Sequence, residues 1–160
     1  MVGSLAIVEA RSADDPGIRD SGRIVAWSWA TTAVFAAVAV PVALGASGFE
    51  GVAIGVSLAC FLASLVVWAY AFWLAVVRSS RGDDITVPSL FFLQGSAPRA
   101  VRHHLFGSLT ASVVIAVVTV KANPFSARVP MLALGLAGLW AAKHGTFPAR
   151  KVANRGLHHR

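Results

Sequence analysis

Charged residues and cysteine are the scarcest components of this 160-residue sequence. Only 13% of the residues are charged, and seven are acidic, whereas soluble domains carry about 25% charged residues. Much of the chain is therefore predicted not to contact water. Cys60 is the only cysteine, which excludes an intramolecular disulfide and a zinc site built from several cysteines. It lies in an apolar run, and we interpret it as a packing residue.

The motifs that mark many enzymes and carriers are also missing. The sequence has no nucleotide-binding glycine loop, no G-x-S-x-G and no pair of redox cysteines. No acidic residue lies inside an apolar block, although proton-coupled carriers and ion pathways normally need an ionisable group there. These absences argue against catalysis and against ion-coupled transport, and no catalytic residue or cofactor is predicted.

Long uncharged runs dominate the remainder, since 56% of the residues are hydrophobic. About 20 apolar residues cross a hydrocarbon core of about 30 Å, and four blocks approach or exceed this length: residues 24–46, 52–77, 105–121 and 128–143. The last two blocks are short for a crossing, so a re-entrant hairpin is their alternative. The predicted fold is all-α, an integral membrane four-helix bundle.

The segments outside these blocks are predicted to be two tails and a connector. Residues 1–23 form the N-terminal tail, residues 144–160 the basic C-terminal tail, and residues 78–104 the connector, which we call the elbow. In the elbow, Thr86 is a candidate N-cap for a short interfacial helix that has Pro88 in its first turn and ends at Gly95. Because this helix is apolar and too short to span, we expect it at the interface or tucked under the bundle.

The distribution of Lys and Arg predicts the orientation. If both termini lie on one side, every Lys and Arg except Lys121 and Arg128 lies on that side as well. Cytoplasmic loops are enriched in positive residues, so both termini are predicted to be cytoplasmic. The Trp residues lie toward the same side, although Trp68 is deep for an interfacial position.

A basic cluster before the third block predicts an anion site. Ser96 is a candidate N-cap, and Arg99, Arg102 and His103 have the i, i+3, i+4 spacing of one helix face. Free N–H groups at a helix N-terminus attract anions. Lipid phosphate is the abundant anion at that depth, so we interpret this face as a headgroup-binding surface, with a specific anionic ligand as the alternative.

Histidines and carboxylates near the elbow are candidates for chemistry. His103, His104 and His144 come to one face if the third and fourth helices are antiparallel, so a metal or haem site is the alternative to hydrated interfacial histidines. No HExxH-type motif fixes their geometry. Asp83 and Asp84 lie close to Arg78 and Arg81, and we interpret them as part of a solvated turn.

Small residues recur at intervals that suit helix packing in lipid. Gly51 and Gly55 bound the sequence GVAIG, and Gly107 and Gly138 lie in the third and fourth blocks. Small residues let helix backbones approach closely. Packing within one chain is the favoured interpretation, and homodimerisation through GVAIG is the alternative.

The stretches GDDITVPSLFFLQGSAPRAVR and GLWAAKHGTFPAR, together with the abundance of Ala, Val, Gly and Arg, resemble small multi-pass membrane proteins of actinobacteria, mycobacteria included. The resemblance extends over residues 24–150 and contains no diagnostic motif. It implies a location in the plasma (inner) membrane, and it assigns a catalytic role to no residue of this chain.

The favoured functional prediction is a non-catalytic small subunit or accessory factor of an envelope membrane complex. Its working surface would be Arg99, Arg102, His103 and the basic C-terminal tail, and its partners another membrane protein or itself, together with anionic lipid headgroups. Nucleic acid is not expected, because the basic residues flank apolar blocks instead of forming a dense run. One alternative is a transporter or channel for a small or apolar solute. The other is an enzyme that modifies lipid headgroups with Asp83, Asp84 and the histidines.

Overall fold

A computed structural model describes residues 16–150, and this part of the chain is all-α. Its helices are α1 (Pro16–Ala43), α2 (Glu50–Ser80), α3 (Val87–Phe91), α4 (Arg99–Thr119) and α5 (Pro130–His144), with a 3-10 helix, η1 (Pro124–Arg128), before α5. The remaining parts of the two predicted tails, residues 1–15 and 151–160, lie outside the described residues.

Four helical segments are long and apolar enough to cross a membrane. The apolar blocks of the third and fourth segments are short for a crossing. The helical segments that contain them, Arg99–Thr119 and Pro124–His144, have 21 residues each, which is the length that a crossing needs. Large apolar side chains such as Leu62, Val66 and Val117 are exposed on the outside of the bundle, where hydrocarbon would cover them. The chain is therefore a multi-pass membrane protein.

Helix α5 lies at the centre of the packed helices. It contacts α1, α2, α4 and the short α3, while α1 also packs against α2 and α4. Most of α5 is buried within the chain, whereas most of α2 faces outward. We call the end of the bundle that carries the connector between α2 and α4 the elbow end. The other end, with residues 44–49 and 120–129, is the opposite end.

Two helices begin earlier than the predicted spans. Helix α1 begins at Pro16, before the span predicted from residue 24, and α4 begins at Arg99, before the span predicted from residue 105, as the placement of Arg99 on a helix face implied. Proline is accommodated in a first helical turn because the N–H that it lacks has no partner there. On α1, the Ser21 hydroxyl accepts a hydrogen bond from Trp140 Nε1 at 2.9 Å. Part of the predicted tail is therefore helical and packs on the bundle.

A ladder of hydroxyl groups joins α1 to α4. Ser28 Oγ lies 2.5 Å from Ser108 Oγ, and Thr32 Oγ1 lies 2.8 Å from Ser112 Oγ one turn further on. All four side chains are buried. Serine and threonine in membrane helices commonly bond back to their own helix, as Thr31 does, whereas these four also bond across the interface. Small hydroxyl side chains thus allow close approach and supply hydrogen bonds where lipid supplies none.

Removing one hydroxyl of this ladder should weaken the α1–α4 interface. We expect Thr32→Val, which keeps the side-chain shape, to lower the free energy of unfolding by about 1 kcal/mol. SDS titration in mixed micelles measures this difference. Thr31→Val is the matched control, because the Thr31 hydroxyl bonds only carbonyls of its own helix among the described residues. Equal effects of the two substitutions would contradict a cross-helix role.

At the opposite end, Asn123 fixes the linker between α4 and α5. Its Nδ2 donates to the Ala53 carbonyl at 3.3 Å and to Ser57 Oγ at 3.0 Å on α2. Its Oδ1 accepts a hydrogen bond from the Phe125 N–H at 3.1 Å, which caps η1. The predicted Asn-Pro turn is present, and its buried amide also ties α5 to α2.

The glycines named from the sequence have different surroundings. A Cβ at Gly107 would lie 3.3 Å from the Trp29 ring, and one at Gly138 would lie 2.5 Å from Phe91. These two glycines therefore form close contacts within the chain. Gly51 and Gly55 are exposed, and a Cβ there would meet nothing within 4 Å, so these two glycines form no close helix contact within the described residues, although Ala53 between them is buried.

Candidate functional site at the elbow end

Arg78, in the last turn of α2, connects three segments at the elbow end. Its Nε donates to Asp83 Oδ2 at 2.8 Å, and its Nη1 donates to the carbonyls of Ala142 and Gly145 at 3.2 and 3.0 Å. Its guanidinium carbon lies 4.8 Å from the centre of the Phe147 ring. A planar guanidinium provides several donors in fixed directions and stacks on aromatic rings. One side chain thus satisfies carbonyls at the end of α5 and neutralises the first elbow carboxylate.

The residues after α5 form a strap, residues 145–150, across the elbow. The Asp84 N–H donates to the Pro148 carbonyl at 2.8 Å, and the Arg150 N–H to the Gly82 carbonyl at 2.7 Å. The Thr146 N–H donates to the Ser96 carbonyl at 3.1 Å. The strap therefore links the start and the end of the connector through backbone hydrogen bonds. The elbow is thereby fixed to the bundle.

Helix α3 is tucked under the bundle, one of the two predicted positions. Thr86 caps its N-terminus, and Thr86 and Ser89 form a capping box. Phe91 is buried and stacks on Trp68 of α2, with ring centres 4.4 Å apart. The absence of a side chain at Gly138 makes room for the Phe91 ring. The elbow is thus part of the hydrophobic core.

The end of α3 differs from the prediction. The helix ends at Phe91 instead of near Gly95, and Leu93 adopts a left-handed conformation with φ +55°. Glycine is the usual residue in that conformation, but Leu93 is fully buried. Burial of the leucine side chain offsets the free-energy cost of the left-handed backbone conformation. Tertiary packing therefore determines where this helix ends.

The predicted anion cluster is only partly assembled. Arg99 and His103 are exposed on the first turns of α4, and Arg102 is half-buried. The prediction of Ser96 as the N-cap is wrong: Pro98 holds that position, with no side-chain cap. The buried Ser96 hydroxyl instead donates to the Ser89 carbonyl at 2.6 Å. Ser96 therefore joins α3 to the start of α4.

A cleft of about 550 Å³ opens beside this cluster. It lies between the start of α1, the connector before α4 and the end of α5, so polar groups from two helices, the connector and the strap surround it. The His144 Nε2 atom is buried and has no hydrogen-bond partner within residues 16–150. The cleft is lined by Ser21, Gly95, Ser96, Ala97, Pro98, Trp140, His144 and Thr146. Its size and lining suit a small polar group.

The three histidines do not assemble into a metal site within residues 16–150. No group of three His, Cys, Asp or Glu side chains in this part of the chain is close enough to hold a metal ion. His103 and His104 are exposed, whereas His144 is half-buried beside Trp140, with ring centres 5.8 Å apart. The three residues lie at the elbow end, as helix direction predicted, but within residues 16–150 their imidazoles do not group as a metal site would require. His158 and His159 lie outside them.

Two features were not predicted from the sequence: the strap, and the packing contacts that place Trp68 deeper than an interfacial tryptophan. Trp68 Nε1 donates to the Met131 carbonyl at 3.0 Å, and a Cβ at Gly135 would lie 2.7 Å from the Trp68 ring. The ring thus packs on α5 instead of marking an interface. The glycines at 135 and 138, one turn apart, were the available signal.

Comparison with known proteins identifies no relative. No family model matches the chain, and no curated protein or solved structure matches it either. The resemblance to actinobacterial membrane proteins stays a prediction, and any functional argument must come from the residues of this chain.

Proposed function

We propose that this protein is a non-catalytic subunit or accessory factor of a plasma-membrane complex, with its elbow end on the cytoplasmic side. The observation that supports this most is the combination of a fixed scaffold and a basic surface at that end. The strap and Arg78 hold the elbow in place, while cations project from it. Among the described residues, the exposed basic side chains there are Arg23, Arg81, Arg99, His103, His104, Lys143 and Arg150.

Such a surface suits anionic headgroups and the acidic surface of a protein partner. Each Lys or Arg near an anionic membrane surface contributes about 1 kcal/mol to binding. Among the described carboxylates at this end, Asp83 is paired with Arg78 and Asp20 lies 3.5 Å from Arg23, so only the exposed Asp84 is left to offset the other cations. A rigid platform loses little conformational entropy when a partner docks.

The interior of the bundle supports this proposal over the two alternatives. The hydroxyls of Ser28, Thr32, Ser108 and Ser112, which a solute path between α1 and α4 would use, are buried and bond one another. They act as packing contacts in this conformation. The alternative of a lipid-modifying enzyme needs Asp83 and Asp84 to act together on a headgroup. Asp83 instead accepts a hydrogen bond from Arg78 in a structural ion pair.

Site-specific photo-crosslinking tests the proposal in native membranes. A benzophenone amino acid is introduced at position 99 or 103, or at position 121 of the opposite end as the matched control. We expect one protein to be crosslinked from positions 99 and 103 but not from 121. Native mass spectrometry of the unmodified protein in mild detergent should show the same partner in a fixed ratio.

Charge reversal then links the partner to the surface. Arg99→Glu combined with His103→Glu should abolish co-purification and leave helix content and thermal stability unchanged, while Lys121→Glu retains the partner. A second copy of this chain is an acceptable partner under the proposal. Turnover or solute transport by the purified protein alone would overturn it.

A further inference from the structure

Arg128, at the opposite end of the bundle, is a cation without an acidic partner among the described residues. No carboxylate lies within 4 Å of its guanidinium in residues 16–150. Its guanidinium carbon instead lies 5.8 Å from the Phe61 ring centre and 5.4 Å from that of Phe125. Aromatic faces attract a cation but do not neutralise its charge.

A groove of about 340 Å³ lies next to this guanidinium. Leu58 and Phe61 of α2 form one part of its lining, and Phe125 of η1 another, with Ser57 beside them. The groove is mainly apolar, with Arg128 as its charged residue. A ligand that fits it must combine an apolar chain with a negative group.

The position of Arg128 along the bundle agrees with the boundary between hydrocarbon and headgroups. Helix α2 has 31 residues, so it is about 46 Å long against a hydrocarbon core of about 30 Å. If the excess is shared between its ends, about 8 Å of α2 protrudes at each side. Phe61 lies about 16 Å from the start of α2, and an arginine side chain extends toward the interface. On this placement Phe61 is about 8 Å inside the hydrocarbon, a depth from which an arginine side chain reaches the headgroups.

We infer that Arg128 and this groove bind one anionic phospholipid, with its phosphate on the guanidinium and an acyl chain along Leu58 and Phe61. Charge complementarity selects this occupant, because an unpaired cation at that depth needs an anion and lipid phosphate is abundant there. Guanidinium also binds phosphate through two parallel hydrogen bonds. The site is at the opposite end from the elbow and does not depend on the proposed function.

Photo-labelling with a defined lipid tests the inference at the level of the site. The full-length protein is reconstituted with phosphatidylglycerol that carries a diazirine in the acyl chain, and labelled peptides are mapped by mass spectrometry. We expect label on the peptide around Leu58 and Phe61 and on the one around Phe125. Arg128→Gln should reduce that label about fivefold, whereas Arg128→Lys should retain an intermediate amount.

Lys121→Gln is the matched control, since Lys121 is an exposed cation at the same end and is not part of the groove lining. It should leave the labelling of these peptides unchanged, and labelling at the elbow should be the same in every variant. Excess inorganic phosphate should not displace the lipid, because a free anion lacks the apolar chain. Equal labelling in wild type and Arg128→Gln, or full displacement by phosphate, would overturn the inference. If Arg128→Gln is unstable, Phe125→Ala provides the same test from the groove side.

Discussion

Arg78→Met should release the strap from the elbow. The substitution removes the ion pair with Asp83, both hydrogen bonds to carbonyls at the C-terminal end of α5 and the contact with Phe147. Arg78 is only 27% exposed, so the carbonyls and the carboxylate it leaves are poorly rehydrated. We expect a loss of about 2–3 kcal/mol in the free energy of unfolding.

Amide hydrogen exchange locates this effect. The N–H groups of Asp84 and Arg150, which bond the Pro148 and Gly82 carbonyls, should lose protection in Arg78→Met, while amides in the middle of α4 keep theirs. Arg78→Lys should be intermediate, because an ammonium group cannot form the same fork of hydrogen bonds. Arg81→Met is the control on a nearby exposed arginine. Unchanged protection in Arg78→Met would show that the strap is held without Arg78.

Gly138→Ala should destabilise the bundle even though alanine is the better helix former. Its Cβ would lie 2.5 Å from Phe91 Cε1. The ring cannot retreat easily, because Trp68 stacks on it at 4.4 Å and Phe72 lies 5.3 Å away, measured between ring centres. Overpacking of a core costs about 1–3 kcal/mol, which exceeds or matches the gain of about 1 kcal/mol from helix propensity.

Gly55→Ala is the matched substitution, because a Cβ there meets nothing within 4 Å. It should be neutral or slightly stabilising in the same SDS titration. Phe91→Leu introduced together with Gly138→Ala should recover part of the lost stability, since the smaller side chain relieves the overlap. Equal effects of Gly138→Ala and Gly55→Ala would contradict the packing of α3 against α5.

Local features of the elbow were predictable, and distant pairings were not. Thr86 was predicted as an N-cap from its residue type and from Pro88 two positions on, and it does cap α3. The short separation of Arg78 and Asp83 along the chain likewise predicted that they lie close together, and they form an ion pair. The bonds from Arg78 to Ala142 and Gly145 join residues more than 60 positions apart, and no local pattern indicates them.

Helix ends and side-chain partners likewise depend on contacts between distant residues, which the local sequence does not indicate. Ser96 has the residue type of an N-cap, but it is buried and its hydroxyl donates to the Ser89 carbonyl, so it joins α3 to the connector instead of capping α4. Leu93 occupies a conformation that sequence rules assign to glycine, because its side chain is needed in the core. The convergence of three histidines was expected from helix direction alone, whereas rotation about each helix axis decides which side chains meet.

The sequence by itself determined that four apolar helices of membrane-spanning length exist and that a short helix lies between the second and third. These properties depend on the length of uncharged runs and on residues a few positions apart. Only the tertiary structure decided which helix is central, which hydroxyls pair across helices and how the strap fixes the elbow. Each of these depends on contacts between distant residues, and packing selects among the many pairings that the same apolar helices would allow.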